Sequence, residues 1–122
     1  MRHEEYIECV KFHDWLQSRG IVHTHIANET NGDPKRGIQN KRIGVSSGFP
    51  DYIILLPLGV FGDKIPVAIE MKKPHGGVVS SNQKAWLAQL ESVGFECAVC
   101  NGASEAVKFL RDLGYKEPPV EF

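Results

Sequence analysis

The sequence predicts an α/β domain in which helices flank one mixed β-sheet, with elements in the order α-β-β-β-α-β-α. Three segments carry apolar residues at helical spacing, and each of them ends at a glycine. Two strongly apolar runs are joined by a turn-rich segment, and two further short segments favour β-structure. Helices and strands mixed in this way pack as layers, with the helices against the faces of the sheet.

Composition predicts one domain over residues 1–122. The chain is 42% hydrophobic and 24% charged, and its net charge of −1 excludes a polycation that binds nucleic acid through bulk charge. No apolar run approaches the ~20 residues that span a bilayer, and the N-terminus lacks a signal-peptide pattern, so we expect a cytoplasmic protein without a membrane partner. Cys9, Cys97 and Cys100 lack a second Cys/His pair for a zinc site and are expected to be buried or half-buried thiols.

The first half of the chain predicts a helix from His3 to Arg19, a strand over residues 21–28 and a long irregular segment over residues 29–48. Tyr6, Cys9, Val10, Phe12 and Leu16 form the apolar side of this helix. A basic cluster within the irregular segment, 35-KRGIQNKR-42, is expected to form a loop. That loop is either simply solvated or a surface that contacts phosphates.

The second half of the chain predicts a hairpin followed by an α-β-α sequence. Asp51 precedes the apolar strand YIILLP, and residues 65–73, IPVAIEMKK, form its neighbour. Ser80 or Ser81 caps the next helix, FECAVC is the following strand, and Ser104 caps the last helix.

Three charged residues of the hairpin converge at one end of the predicted sheet. Side chains alternate along a strand, so Glu70 and Lys72 share a face, and antiparallel pairing places Asp51 beside them. Two adjacent carboxylates repel each other unless a proton or a cation lies between them. Hard oxygen ligands favour Mg²⁺ or Mn²⁺, and a neighbouring lysine can activate water or neutralise phosphate charge, so this pattern predicts a site that hydrolyses phosphate esters. The alternative is a turn-capping aspartate with a surface ion pair worth about 0–1 kcal/mol.

The spacing Pro50-Asp51, eighteen residues, then Glu70-Met71-Lys72 resembles the PD-(D/E)XK pattern of a nuclease superfamily. Other features are similar to one branch of it, the VRR-NUC (virus-type replication-repair nuclease) family. These are a glutamate-bearing N-terminal helix, Asn28-Glu29 after a strand, Gly44 and Gly48 before the Pro-Asp pair, Gly77, and Ser80-x-x-Gln83 at a helix start. The resemblance covers about Glu4 to Leu113.

The resemblance implies a role for individual residues. Asp51, Glu70 and the main-chain carbonyl of Met71 would bind the metal ion, and Lys72 would be the catalytic lysine. Gln83 would support the site or contact the DNA backbone. A glutamate of the N-terminal helix would complete the ligands; the family pattern fits Glu4, the spacing in related resolvases fits Glu8, and we favour Glu8. The basic residues expected to bind DNA are Lys35, Arg36, Lys41, Arg42 and Lys73.

The implied activity is a Mg²⁺- or Mn²⁺-dependent DNA endonuclease. The sequence shows no helix-turn-helix, zinc finger or long basic arm, so we expect selection by DNA structure, with Holliday junctions or other branched DNA as substrate. A homodimer would cut both strands of a symmetric junction, as in the phage or bacterial enzymes that free-standing members resemble. The alternatives are a restriction-type or single-strand nuclease and, in a different class, a non-catalytic DNA-binding or assembly subunit.

Overall fold

A computed structural model describes residues 3–27, 33–59 and 62–117. Its elements are α1 (His3–Ser18), β1 (Val22–His25), α2 (Pro34–Arg42), β2 (Tyr52–Leu58), β3 (Asp63–Lys72), α3 (Ser81–Ser92), β4 (Glu96–Asn101) and α4 (Ala103–Asp112). The predicted α/β class is therefore confirmed. No helix in the described ranges is long and apolar enough to cross a membrane.

The four strands form one mixed sheet in the order β1-β2-β3-β4. β2 is antiparallel to both β1 and β3, whereas β4 runs parallel to β3 after the crossover through α3. The predicted hairpin is confirmed, with Tyr52 opposite Ile69. This register places the beginning of β2 beside the end of β3.

The core lies between the sheet and helices α1 and α4. Side chains that alternate along β2 and β3 are fully buried against this helical layer, and the ring of Phe12 meets that of Tyr52 edge-on at 5.1 Å. Cys9 and Leu16 of α1 are also buried, but Tyr6 is 57% exposed and Val10 is 40% exposed, so only part of the predicted apolar side of this helix is buried. The helix is oriented so that residues 9, 12 and 16 face the sheet, and Tyr6 and Val10 therefore lie at the edge of this buried face.

Helix α2 corrects the prediction that residues 29–48 lack regular structure and that the basic cluster is a loop. The Asp33 carboxylate accepts a hydrogen bond from the Lys35 amide at 3.0 Å, and Pro34 occupies the first turn, where no backbone donor is needed. The helix buries no residue, so its sequence carries no apolar periodicity by which it could be recognised. The first strand is also shorter than predicted, and Asn28 and Glu29 lie outside the described ranges.

Helix α4 does not begin as predicted. Its N-cap residue is Gly102 rather than Ser104. Glycine has no side chain that could accept a hydrogen bond from the first turn. The amide of Ala103 instead donates to the Glu8 carboxylate of α1 at 2.9 Å. A carboxylate at a helix N-terminus is stabilised by the helix dipole, so α1 supplies the cap that the local sequence lacks.

Candidate active site

Asp51 and Glu70 form a carboxylate pair at the edge where β2 begins and β3 ends. Oδ2 of Asp51 accepts a hydrogen bond from the Met71 amide at 2.8 Å, which fixes the carboxylate against the end of β3. Glu70 is only 4% exposed, and the two carboxyl groups lie close enough for one to hydrogen-bond the other when protonated. The strand register thus places these two sequence-predicted residues side by side.

Burial dominates the electrostatics of this pair. Burial, followed by the negative charge of Asp51, raises the pKa of Glu70 to about 8, although the Lys72 ammonium opposes both effects. Burial also raises the pKa of Asp51, against the hydrogen bond from the Met71 amide. Without a bound cation, the carboxyl pair therefore holds a proton at pH values where an exposed carboxylate has released it.

Lys72 and Gln83 join the pair through hydrogen bonds. Nζ of Lys72 donates to Oε1 of Gln83 at 3.1 Å and lies 3.6 Å from Oε1 of Glu70, while Nε2 of Gln83 donates to the same Glu70 oxygen at 2.8 Å. Gln83 also belongs to a capping box at the start of α3, in which its Oε1 accepts from the Ser80 amide at 2.9 Å. Two donors at Oε1 fix the orientation of the Gln83 amide, so its NH₂ group faces Glu70.

The pair also has the donor atoms that a hard divalent cation requires. Oε2 of Glu70 is buried and has no hydrogen-bond partner among the described residues. Such an oxygen is costly unless a proton or a cation satisfies it. The Met71 carbonyl faces the same edge, because N–H and C=O of a strand residue point to the same side and the Met71 amide faces Asp51. Two carboxylates and a carbonyl fit Mg²⁺ or Mn²⁺.

Residues 3–104 match the VRR-NUC domain family over most of the chain. The chain belongs to the VRR-NUC family. A solved structure described as a VRR_NUC domain protein shares the fold, with 20% sequence identity, a TM-score of 0.67, and coverage of 92% of this chain and 88% of that one. A comparison with curated proteins gave no match. Family membership implies a nuclease, a hydrolase of phosphodiester bonds that acts on DNA.

The two glutamates of α1 that the resemblance suggests as ligands in this VRR-NUC domain, Glu8 and Glu4, differ in their surroundings. Glu8 accepts from the Ala103 amide at 2.9 Å and from Nζ of Lys11 at 3.1 Å, and the Ala103 bond is the main cause that lowers its pKa. Glu4 is exposed. Within the described ranges, no three His, Cys, Asp or Glu side chains form a group that could hold a metal ion. The assignment of Glu8 or Glu4 as a ligand stays a prediction.

Glu5 is a third glutamate of α1, and the sequence pattern does not assign it to the site. It is partly buried, one turn before Cys9. Burial raises the pKa of the Cys9 thiol to about 11, and the charges of Asp51, Glu5 and Glu70 all add to this rise. Glu5 therefore lies on the side of α1 that faces the pair. Its sequence signal was the position of an acidic residue on the apolar side of the helix.

The residues expected to bind DNA lie in two places. Lys73 is partly buried and follows β3 directly, next to the site. The other four are exposed on α2, which buries none of its own residues. They are Lys35, Arg36, Lys41 and Arg42. Helix α2 connects to the site through residues 44–50. In this segment, the side-chain Nδ2 of Asn82 donates a hydrogen bond to the Ser47 hydroxyl at 3.3 Å.

Gly48 holds this connection against α3. Its φ is +87°, and a Cβ atom there would lie 2.7 Å from the Asn82 carbonyl carbon and 2.8 Å from the Gln83 amide nitrogen. The next residue, Phe49, packs edge-on against Trp86 of α3 at 5.0 Å. Because Asp51 follows three residues after Gly48, this close contact sets Asp51 relative to Gln83.

Gly48→Ala is expected to destabilise the protein by about 2–4 kcal/mol, since it combines a positive φ with a clash against backbone atoms. Gly44→Ala is the matched control, because Gly44 has a φ of +94° but, apart from its chain neighbours, no atom of the described residues lies within 4 Å of the position that a Cβ atom would take. It should cost only ~1 kcal/mol. Urea unfolding of both variants measures the difference, and equal losses would show that the close approach to α3 contributes nothing.

Proposed function

We propose that the protein is a Mg²⁺- or Mn²⁺-dependent endonuclease that resolves Holliday junctions or other branched DNA as a homodimer. The observation that carries the proposal is the convergence of Asp51, Glu70, Lys72 and Gln83 at one edge of the sheet, around a buried Glu70 oxygen to which no described residue donates. A divalent cation bound there would polarise the phosphodiester and lower the pKa of its water.

Each residue of the site has a separate task in this proposal. Asp51, Glu70 and the Met71 carbonyl would hold the cation, with Asp51 oriented by the Met71 amide. Lys72 would donate to the attacking water or to a phosphate oxygen and stabilise the negative charge that develops there. Gln83 would hold the ammonium of Lys72 and one oxygen of Glu70 at a fixed separation.

Selection by DNA structure is supported by the kind of surface around the site. The cations of α2 and Lys73 suit contacts with phosphates, and such contacts carry no sequence information. A homodimer with two-fold symmetry would present two sites to the two equivalent strands of a four-way junction.

The test is cleavage of a four-way junction, a linear duplex and a single strand that share one sequence, in Mg²⁺ and in Mn²⁺, with Asp51→Asn as the inactive control. We expect paired cuts in the junction and, from light scattering, twice the mass of one chain. Sequence-dependent cutting of the duplex would favour a restriction-type enzyme, and preferred cutting of the single strand a single-strand nuclease. Absence of both cleavage and calorimetric ion binding would favour a non-catalytic DNA-binding subunit.

The basic residues of α2 give a prediction for DNA affinity. Replacing Lys41 and Arg42 by glutamine should weaken binding similarly for all sequences, because these cations would release counterions from phosphates. The slope of log K against log salt concentration should fall by about one for each phosphate that is no longer neutralised. Lys108→Gln is the control, since Lys108 lies on α4 and is paired with Asp112 at 2.7 Å. Fluorescence anisotropy at several salt concentrations measures the slope, and an unchanged slope excludes Lys41 and Arg42 from the interface.

A further inference from the structure

The turn that follows Lys72 is held by one side chain from the neighbouring strand. Asn101 lies opposite Lys72 in the parallel register of β3 and β4. Its Nδ2 donates to the carbonyl of Lys73 at 2.9 Å and to the carbonyl of Gly76 at 2.8 Å. One amide group thus ties together the two ends of the turn.

The same turn packs against the side chain of Lys72. Gly77 has a φ of +93°, and a Cβ atom there would lie 3.1 Å from Cβ of Lys72 and 3.5 Å from its Cγ and Cδ. The backbone of Gly77 therefore runs along the alkyl chain of Lys72. The far end of that chain meets Gln83 at 3.1 Å, and the Lys72 side chain is only 13% exposed.

The backbone of Lys72 is fixed separately, because its carbonyl accepts from the Gly102 amide at 3.0 Å. What remains to be restrained is a long side chain with several rotatable bonds, and such a chain loses rotamer freedom only where neighbouring atoms confine it. Gly77 lies close along this chain, and Asn101 helps to set where Gly77 lies.

We infer that Asn101 is a positioning residue for the Lys72 ammonium and acts through the turn at residues 73–77. Asparagine suits this task because its NH₂ group has two donors and both are used on carbonyls. Leucine has the same branched shape, the same number of side-chain heavy atoms and no charge, but it cannot donate a hydrogen bond. The inference rests on the proposed function, since it assigns Asn101 a part in holding the lysine of that site.

The test compares Asn101→Leu and Gly77→Ala with the wild type in single-turnover cleavage of the four-way junction. We expect each variant to lower the rate by about tenfold to 100-fold, the usual effect of a small misplacement of a reacting group. The dissociation constant for DNA should stay within about threefold, because Lys72 is moved rather than removed. The double variant should lose no more than the worse single variant, since both act on one contact.

Glu105→Gln is the matched control. Its Oε1 accepts a hydrogen bond from the backbone amide of Asn101 at 3.1 Å. The substitution therefore alters a contact of the same residue and leaves the Asn101 side chain in place. It should cleave at the wild-type rate. A normal rate in folded Asn101→Leu and Gly77→Ala, or a loss of rate matched by an equal loss of DNA affinity, would overturn the inference.

A second readout does not depend on cleavage. In protein labelled with ¹³C at lysine Cε, relaxation reports the ps–ns order of the Lys72 side chain, and the Lys72→Arg spectrum identifies its signal. The order parameter should fall in Asn101→Leu and stay unchanged in Glu105→Gln. An equal order parameter in Asn101→Leu and the wild type contradicts the inference even if DNA is cut. Conversely, a protein that cuts no DNA but shows the predicted loss of order refutes the proposed function alone.

Discussion

Replacing Lys72 by methionine is expected to reduce DNA cleavage by about 10²- to 10⁴-fold while the protein stays folded and binds DNA. The ammonium group lies 3.1 Å from Gln83 and 3.6 Å from Glu70, and it is the basic group within the cluster of hydrogen bonds that surrounds the carboxylate pair. Methionine keeps most of the alkyl packing and removes only the charge and its donors. The loss should therefore appear in the single-turnover rate.

The measurement must separate loss of the ammonium from a second effect on Glu70. The charge of Lys72 lowers the pKa of Glu70, so the methionine variant raises that pKa further and makes protons compete more strongly with a cation. Assays above pH 8 at saturating Mg²⁺ or Mn²⁺ remove this competition. Lys64→Met is the control, because Lys64 is exposed near the other end of β3. Cleavage by Lys72→Met at the rate of this control would exclude Lys72 from the reaction.

The convergence of Asp51, Glu70 and Lys72 could be predicted because it follows from short-range rules. The alternation of side chains along a strand has a period of two, and a short connection between adjacent strands fixes their register. These two rules place Asp51 beside Glu70, and the structure shows the same arrangement. The place of Gln83 is also local, since it depends on a capping box with Ser80.

The rest of the site depends on contacts between distant parts of the chain. Glu8 caps α4 although it lies 95 residues away from Ala103 in the sequence. No local sequence pattern distinguishes a glutamate that caps a distant helix from one that binds a metal ion. Asn101 reaches the turn after β3 only because β4 is parallel to β3, a register that the sequence leaves open. Helix α2 was missed for the opposite reason, because it has no packed face to leave a periodic signal.

Glu70→Gln is expected to abolish cleavage and yet to stabilise the cation-free protein at high pH. The pKa of Glu70 is raised in the fold from its ordinary value of 4.5 to about 8, first by burial and then by the charge of Asp51. Between these two values the folded protein binds a proton that the unfolded chain releases. The stabilising contribution of this carboxyl is thus complete below pH 4.5 and is lost as the pH rises through about 8.

The free energy of unfolding of the wild type in EDTA should therefore decrease between pH 6 and pH 9 relative to Glu70→Gln, by up to about 1.4 kcal/mol per pH unit below pH 8 and with little further change above it. Urea unfolding at both pH values measures this, with Glu96→Gln, at an exposed position of β4, as the control. Adding Mg²⁺ or Mn²⁺ at pH 9 should restore stability to the wild type and to the control but not to Glu70→Gln, because a ligand stabilises only the fold that binds it. Equal pH dependence in all three proteins would mean that the buried carboxyl does not take up the proton. In that case protons would not compete with the cation for Glu70, and the rate of cleavage would not decrease as the pH falls below 8.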